Sequence, residues 1–151
     1  MDTDHFKQLN DTFGHHVGDI VLANIKPMFE PYLRSGDVLA RWGGEEFLIY
    51  LNVAQPADLP SILERLRCAM LTVRPALKAQ GVADPPELSA SFGIAIIAPE
   101  EEGFEAAIQR ADNALYKAKE LGRNRAQFDK SLNLGARRSA WPACRAWPVC
   151  R

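Results

Sequence analysis

Two glycines and two glutamates stand in an unbroken row at residues 43–46, between two apolar runs. Paired glycines supply the positive φ angles that a two-residue hairpin loop requires, so residues 38–51 are predicted to form a β-hairpin. A hairpin tip without Cβ atoms lets a ligand approach the backbone, and carboxylates beside it can hold divalent metal ions. The stretch predicts a site for a nucleoside triphosphate and its magnesium, with a solvated surface turn as the alternative interpretation.

Residues 43–47 resemble the GGDEF signature of diguanylate cyclases, in the variant that carries glutamate at the third position. Other motifs of that family occur in the family's order. The resemblance implies a nucleotidyltransferase that condenses two GTP molecules into cyclic di-GMP and releases two pyrophosphates. It also implies an antiparallel homodimer, because the attacking hydroxyl belongs to the GTP on the other protomer. The motifs lie at residues 2–7, 10–19, 34–37, 43–47 and 118–125.

The resemblance assigns the acidic residues to metal binding and catalysis. Asp2, the Thr3 carbonyl and Glu45 would hold two Mg²⁺ or Mn²⁺ ions in each active site. Glu45 and Glu46 would be the catalytic carboxylates, with Glu46 near the attacking hydroxyl as a metal ligand or a proton acceptor. Bound metal would lower the pKa of that hydroxyl and stabilise the charged transition state at the α-phosphorus. For Asp2 alone, a frayed terminal acid is the alternative interpretation.

The same resemblance assigns a set of residues to substrate binding. Asn10 and Asp19 would recognise guanine, since amide and carboxylate groups match the donors and acceptors of the base. Lys119 and Arg123 would offset charge on the triphosphate and the leaving pyrophosphate. Asp19 as a helix cap and Lys119 as a solvated lysine at a helix end are the alternatives. The full set is Phe6, Lys7, Asn10, Asp19, Gly43, Gly44, Lys119 and Arg123.

Arg34 and Asp37 form an R-x-x-D motif shortly before Gly43. At this position the motif resembles the family's inhibitory product site, and Arg65 matches a further contact to the product. An arginine fork suits a phosphate group or a guanine edge. The resemblance therefore implies that cyclic di-GMP binds here and inhibits the enzyme. A local salt bridge within the motif is the alternative.

Composition excludes several other classes of protein. The chain has 151 residues, 47% hydrophobic and 25% charged, which suits one globular domain with a sizeable core. A net charge of −1 does not favour the strongly basic surface that binds nucleic acid. The sequence has no apolar run long enough to span a bilayer and no signal-peptide pattern at its start. A cytoplasmic location is the expectation.

The elements that must position the site residues follow from periodicity and turn signals. Residues 10–15 are rich in turn formers and predict a loop. Asp19 can then cap a helix whose apolar spacing continues to Tyr32. Pro27 and Pro31 fall inside that pattern, so the helix is expected to be kinked or cut short.

Further along the chain, a second helix is predicted from an Asp58 cap to Val73. Residues 88–96 alternate as a strand whose second face carries small residues, which suggests close packing or ligand access there. A third helix is predicted over residues 104–118, with its end at Gly122. Alternating helices and strands predict an α/β or α+β domain. The resemblance adds a central, mostly antiparallel sheet flanked by helices, as in nucleotide cyclases and polymerase palms.

The family domain normally opens with a helix and a complete first strand before the aspartate that Asp2 matches. Residues 1–128 are therefore expected to be a GGDEF domain that lacks its N-terminal helix and most of strand 1. Residues 129–151 form an atypical tail that is expected to be disordered, in which residues 140–145 are nearly repeated as residues 146–151. Two alternatives stay open: an inactive module that binds GTP or cyclic di-GMP, and a truncated fragment.

Overall fold

The computed structural model describes residues 1–130, and most of the predicted tail lies outside them. Five strands form one sheet in the order β2-β3-β1-β4-β5. The pairs are antiparallel except β4 with β5, which is parallel. The prediction of a mostly antiparallel sheet is confirmed. The strands are β1 (Asp2–Thr3), β2 (Val38–Gly43), β3 (Glu46–Tyr50), β4 (Ala90–Ile94) and β5 (Ala126–Phe128).

Five α-helices in the described part of the chain flank this sheet. Buried side chains of the helices and the strands form one hydrophobic core. Within it, the ring of Phe29 stacks on the ring of Phe92, with the ring centroids 6.4 Å apart. Within residues 1–130, no helix has both the length and the apolar character needed to cross a membrane. The helices are α1 (Phe6–Phe13), α2 (His15–Phe29), α3 (Leu59–Met70), α4 (Val73–Ala79) and α5 (Glu105–Glu120).

Two predictions about α1 and α2 are wrong. The segment predicted as a loop is mostly helical, because α1 continues to Phe13. Gly14, with φ of 83°, ends α1 and is also the residue from which α2 starts. The glycine's conformational freedom reverses the chain in a single residue, so no longer loop is needed. Asp19 therefore lies inside α2 and does not cap it.

The proline effects on α2 are partly as expected. Pro27 lies within the helix, and α2 ends at Phe29, two residues before Pro31. Pro31 belongs to a 3₁₀ turn at Glu30–Tyr32, where its fixed φ is tolerated. The expected shortening is confirmed.

The second predicted helix is divided into α3 and α4. Thr72 interrupts it by hydrogen bonding through both its N–H and its hydroxyl to the carbonyl of Ala69. A threonine hydroxyl that binds a nearby carbonyl competes with helix continuation. Asp58 stands at the N-cap of α3 as predicted, but within residues 1–130 its carboxylate makes no capping hydrogen bond.

The small residues of β4 allow close packing on α5. A Cβ on Gly93 would lie 2.0 Å from the carbonyl oxygen of Ala111 and 2.4 Å from the backbone nitrogen of Leu115. The prediction of a strand with one closely packed face is confirmed. After α5, Gly122 has φ of 108° and reverses the chain as predicted. β5 was not predicted from the sequence.

Candidate functional site

The tip of the hairpin is attached directly to β1. The N–H of Thr3 donates to the carbonyl of Glu45 at 3.2 Å, and the N–H of Phe47 donates to the carbonyl of Met1 at 2.9 Å. Asp2 is paired with Glu46 on one side and with Ser91 on the other. The backbone thereby brings the predicted metal ligands Asp2, Thr3 and Glu45 to one place in the middle of the sheet.

The hairpin loop lies one residue further along the chain than the predicted glycine pair. Gly43 belongs to β2 and pairs with Glu46, because the register shifts between Arg41 and Gly43. The two loop residues are Gly44 and Glu45, and of the two glycines only Gly44 has a positive φ, at 48°. The Arg41 Nε donates to the Gly44 carbonyl at 2.9 Å and holds the tip. Apart from the chain neighbours, no atom of residues 1–130 lies within 4 Å of a Cβ placed on either glycine, and both glycines are exposed, so a ligand can approach their backbone.

Asp2 is a buried carboxylate with a cationic partner. Its residue is 6% exposed, and its Oδ2 lies 2.8 Å from the Nζ of Lys119 near the end of α5. Burial raises the pKa of Asp2, Lys119 opposes that rise, and the negative charges of Glu45 and Asp4 add to it. Lys119 is therefore not merely a solvated lysine at a helix end. The Lys119 ammonium therefore favours the ionised form of the Asp2 carboxylate, against the effect of burial.

The oxygens around Asp2 fit a hard divalent cation. The carboxylates of Asp2 and Glu45 and the carbonyl of Thr3 are all oxygen donors, which Mg²⁺ and Mn²⁺ prefer. Residues 1–130 contain no group of three or more His, Cys, Asp or Glu side chains placed to hold a metal ion. In proteins, Mg²⁺ commonly keeps several waters and takes further ligands from substrate phosphates.

Asn10 has an unsatisfied acceptor beside the start of α2. Its Oδ1 is buried and has no hydrogen-bond partner among residues 1–130, which is uncommon for a buried polar atom. Gly18 makes room for it, since a Cβ on Gly18 would lie 2.0 Å from this oxygen. Asp19 is the next residue of α2 and is exposed. Gly18 was not singled out from the sequence, although a glycine inside a helix marks such a close approach.

The phosphate-binding segment after β1 presents two different side chains. Phe6 is buried and belongs to the core, whereas Lys7 is exposed. Any contact from Phe6 to a ligand at the surface therefore falls to its backbone, while Lys7 can use its side chain.

Asp4 is a further buried acid that was given no role from the sequence. It is 2% exposed and accepts hydrogen bonds from the hydroxyls of Ser89 and Ser91, each at 2.7 Å. It also accepts the backbone N–H of Asn124 at 3.0 Å. The alternation of serines in the β4 region was the only sequence signal for this cluster. Asp4 therefore joins the end of β1 to the loop that follows α5.

The R-x-x-D motif forms a turn stabilised by its aspartate. Oδ2 of Asp37 accepts the N–H of Arg34 at 2.7 Å, and Oδ1 accepts the N–H of Asn52 at 2.8 Å. Within the motif, the aspartate thus contacts the backbone N–H of Arg34. Arg34 itself is an exposed residue. The guanidinium of Arg65 lies 5.8 Å from the centroid of the Tyr32 ring. Its buried Nε has no hydrogen-bond partner in the described part of the chain.

An apolar groove of about 580 Å³ lies between β3, β4 and α5. Exposed aromatic residues line it, including Trp42, Tyr50 and Phe104. Of the predicted site residues, it includes Glu46. The groove therefore borders the polar cluster at Glu46, which pairs with Asp2 in the sheet.

Known proteins match both the sequence and the fold. The sequence model of the diguanylate cyclase GGDEF domain matches residues 1–125. Diguanylate cyclase DgcP of Pseudomonas aeruginosa is 42% identical over 125 residues, which is 83% of this chain and 18% of that protein. The chain thus spans less than a fifth of that relative's length.

Two solved structures share the fold. The GGDEF domain of DgcB from Caulobacter crescentus, in complex with c-di-GMP, has a TM-score of 0.74 and 32% identity, over 85% of this chain and 74% of that chain. The active GGEEF domain of a diguanylate cyclase from Vibrio cholerae has a TM-score of 0.73 and 28% identity, over 85% of this chain and 79% of that one.

Proposed function

Because this chain belongs to the GGDEF domain family of diguanylate cyclases, we propose that it condenses two GTP molecules into cyclic di-GMP and releases two pyrophosphates. The observation that supports this most is the buried Asp2 carboxylate, paired with Lys119 and adjoining Glu45 at the hairpin tip. A buried acid beside an accessible glycine backbone suits a nucleotide that arrives with its own cation. We propose residues 1–128 as the catalytic domain and the cytoplasm as its location.

Diguanylate cyclases of this family are generally metal-dependent. We assign two Mg²⁺ or Mn²⁺ ions in each active site to Asp2, the Thr3 carbonyl and Glu45. When bound, these ions supply Lewis-acid stabilisation of the 3′-oxygen and of the charge at the α-phosphorus. Glu46, which is exposed beside Asp2 in the sheet, ligates metal or accepts the proton of the attacking hydroxyl.

Guanine recognition is assigned to Asn10 and Asp19. The Oδ1 of Asn10, which has no partner within the part of the chain that the structure describes, can accept a hydrogen bond from N1–H or N2–H₂ of guanine. Asp19 does not cap α2, so its exposed carboxylate can accept a hydrogen bond from the other of these two guanine groups. Adenine presents an acceptor where guanine has N1–H, so this pair of acceptors favours GTP over ATP.

Phosphate binding is assigned to the cations and glycines around the hairpin tip. Lys119 already faces the Asp2 carboxylate, and fixed cations there offset charge on the triphosphate. Arg123 and Lys7 are exposed and can reach solvent-borne phosphates, while Gly43, Gly44 and the backbone of Phe6 allow close approach.

Catalysis requires an antiparallel homodimer, since each half-site holds one GTP. We propose that the product returns to Arg34, Asp37 and Arg65 and inhibits turnover. Asp37 stabilises the turn through backbone N–H groups, which leaves the exposed Arg34 to meet phosphate or guanine. The c-di-GMP complex of the Caulobacter relative is consistent with a product site in this family.

A module that binds cyclic di-GMP or GTP without turnover is the second candidate. The observation that favours it is the ion pair between Lys119 and Asp2, with Nζ 2.8 Å from Oδ2. This pair occupies the carboxylate that is proposed to ligate the catalytic metal.

The test is to incubate the purified chain with GTP and Mg²⁺ and to separate the products by chromatography. Glu45→Gln is the test variant, and Glu102→Gln, at an exposed glutamate outside the site, is the matched control. We expect cyclic di-GMP from the wild type and from the control, and none from Glu45→Gln. Turnover by Glu45→Gln at the wild-type rate would contradict the assignment. Folded wild type that binds cyclic di-GMP but forms none would favour the binding module.

A further inference from the structure

The loop after α5 contains a run of left-handed backbone. Gly122, Arg123 and Asn124 have φ values of 108°, 62° and 47°. Left-handed backbone is uncommon in residues other than glycine, and it persists only where the surrounding structure imposes it. Arg123 is one of these residues and is also the proposed phosphate contact. The contacts that impose its conformation therefore bear on substrate binding.

Asn124 is held on both its backbone and its side chain. Its N–H donates to the buried Oδ2 of Asp4 at 3.0 Å. Its side-chain Oδ1 accepts a hydrogen bond from Nη1 of Arg67 at 2.7 Å. The contacts come from two distant parts of the chain, namely the end of β1 and the helix α3. Both contacts restrain Asn124, the residue that directly follows Arg123 in the chain.

Both partners of Asn124 are themselves fixed. Arg67 makes a two-pronged contact with Glu64, from Nε at 2.8 Å and from Nη2 at 2.7 Å, and Glu64 is 1% exposed. Such a bidentate pair defines the position of a guanidinium group closely. On the other side, hydroxyl groups of β4 and its approach segment hold both oxygens of Asp4.

We propose that Asn124 is a positioning residue for the phosphate contact of Arg123. Clamped between Asp4 and Arg67, it fixes the backbone of Arg123 and hence the place where that guanidinium meets the triphosphate. Asp4 lies two residues after Asp2, so the same strand end holds both the metal ligand and the phosphate loop. This inference rests on the proposed function, because it takes Arg123 as a phosphate contact.

The first experiment compares the affinity for two ligands. One is 3′-deoxy-GTP, which lacks the attacking hydroxyl, and the other is GMP, which lacks the β- and γ-phosphates. The variants are Arg123→Ala, Asn124→Ala and the double variant, with Asn113→Ala on the exposed face of α5 as control. We expect each single variant to weaken 3′-deoxy-GTP about tenfold and to leave GMP and the control unchanged. The double variant should be no weaker than Arg123→Ala, since the two residues act as one unit. Additive losses in the double variant would overturn the proposal.

The second experiment does not depend on nucleotide binding. In Asp4→Asn, the amide oxygen can still accept the N–H of Asn124, while the amide nitrogen can donate to the Ser91 hydroxyl. Asp4→Ala removes the acceptor. We expect the Asn124 amide hydrogen to exchange slowly in the wild type and in Asp4→Asn, and at least about tenfold faster in Asp4→Ala. Equal exchange in all three would overturn the clamp.

The outcomes separate this inference from the proposed function. The folded wild type could fail to bind 3′-deoxy-GTP although the Asn124 amide hydrogen exchanges as expected. In that case the cyclase assignment fails, and the role of Asn124 in substrate binding fails with it. Should 3′-deoxy-GTP bind normally in Asn124→Ala, the cyclase assignment stands and the positioning role alone is overturned. If Asp4→Ala does not fold, the binding of 3′-deoxy-GTP by Asn124→Ala and by the double variant still decides the question.

Discussion

Replacing Gly93 with alanine tests how the closest contact in the fold supports the site. The added Cβ would lie 2.0 Å from the Ala111 carbonyl oxygen, 2.4 Å from the Leu115 nitrogen and 2.8 Å from the Leu115 Cα. All three are backbone atoms of α5, so no side-chain rotation can relieve the clash. Reaching even 3.0 Å from the Ala111 oxygen requires the strand and the helix to separate by about 1 Å.

Such overpacking costs about 2–3 kcal/mol of the free energy of unfolding. For a domain of this size, that loss lowers the melting temperature by about 6–12 °C. The displacement has a second effect, because α5 also carries Lys119, which pairs with Asp2. We therefore expect turnover of GTP to fall in Gly93→Ala even at temperatures where the variant is fully folded.

The assay is urea unfolding followed by circular dichroism, with product formation measured at 15 °C, a temperature chosen to keep the variant folded. Gly43→Ala is the matched stability control, because Gly43 has extended backbone in β2 and open space around its Cα. Its free energy of unfolding should change by less than about 0.5 kcal/mol. A Gly93→Ala variant as stable as Gly43→Ala would refute the claim that β4 and α5 pack at backbone contact.

Three further perturbations follow from the described contacts. Lys119→Met removes the cation beside Asp2, so the pKa of Asp2 should rise further and the acid limb of the pH–rate profile should move to higher pH. Turnover should fall about a hundredfold. An unchanged profile would count against the pairing of Lys119 with Asp2. Asp37→Ala removes the acceptor for two backbone N–H groups, so urea unfolding should show a free energy of unfolding lower by about 1–3 kcal/mol. Inhibition by cyclic di-GMP should also weaken. An unchanged free energy of unfolding would show that the turn does not need its aspartate. Arg110 lowers the pKa of Glu101 to about 2 from its usual 4.5, so this pair contributes stability above pH 4.5 that is lost as the pH falls through 2. Glu101→Gln should therefore flatten the acid dependence of the unfolding free energy in that range, and an unaltered slope would contradict the pairing.

Local signals in the sequence were sufficient for much of the fold. The hairpin followed from glycines between two apolar runs, and the end of α5 followed from Gly122, whose φ of 108° only glycine adopts readily. These signals act within a few residues, so sequence pattern alone can detect them. The same reasoning placed a loop where α1 continues to Phe13, because it counted turn-forming residues and could not tell that Gly14 alone reverses the chain.

The contacts that assemble the candidate site depend on residues far apart in the chain. The partner of Asp2 is Lys119, and the partner of Asp4 is the backbone of Asn124, 120 residues away. Neither pairing has a periodic or turn signature, since each depends on β1 lying between β3 and β4 while α5 packs on β4. The family resemblance supplied Lys119 but gave no role to Asp4 or Asn124. Their proposed role rests on geometry: the buried carboxylate of Asp4 accepts hydrogen bonds from two hydroxyls and from the backbone N–H of Asn124, which lies beside the proposed phosphate contact. Arg123 has a positive φ of 62°, a conformation that a residue other than glycine keeps only where surrounding contacts outweigh its cost. Under the proposal, these contacts determine where Arg123 is held.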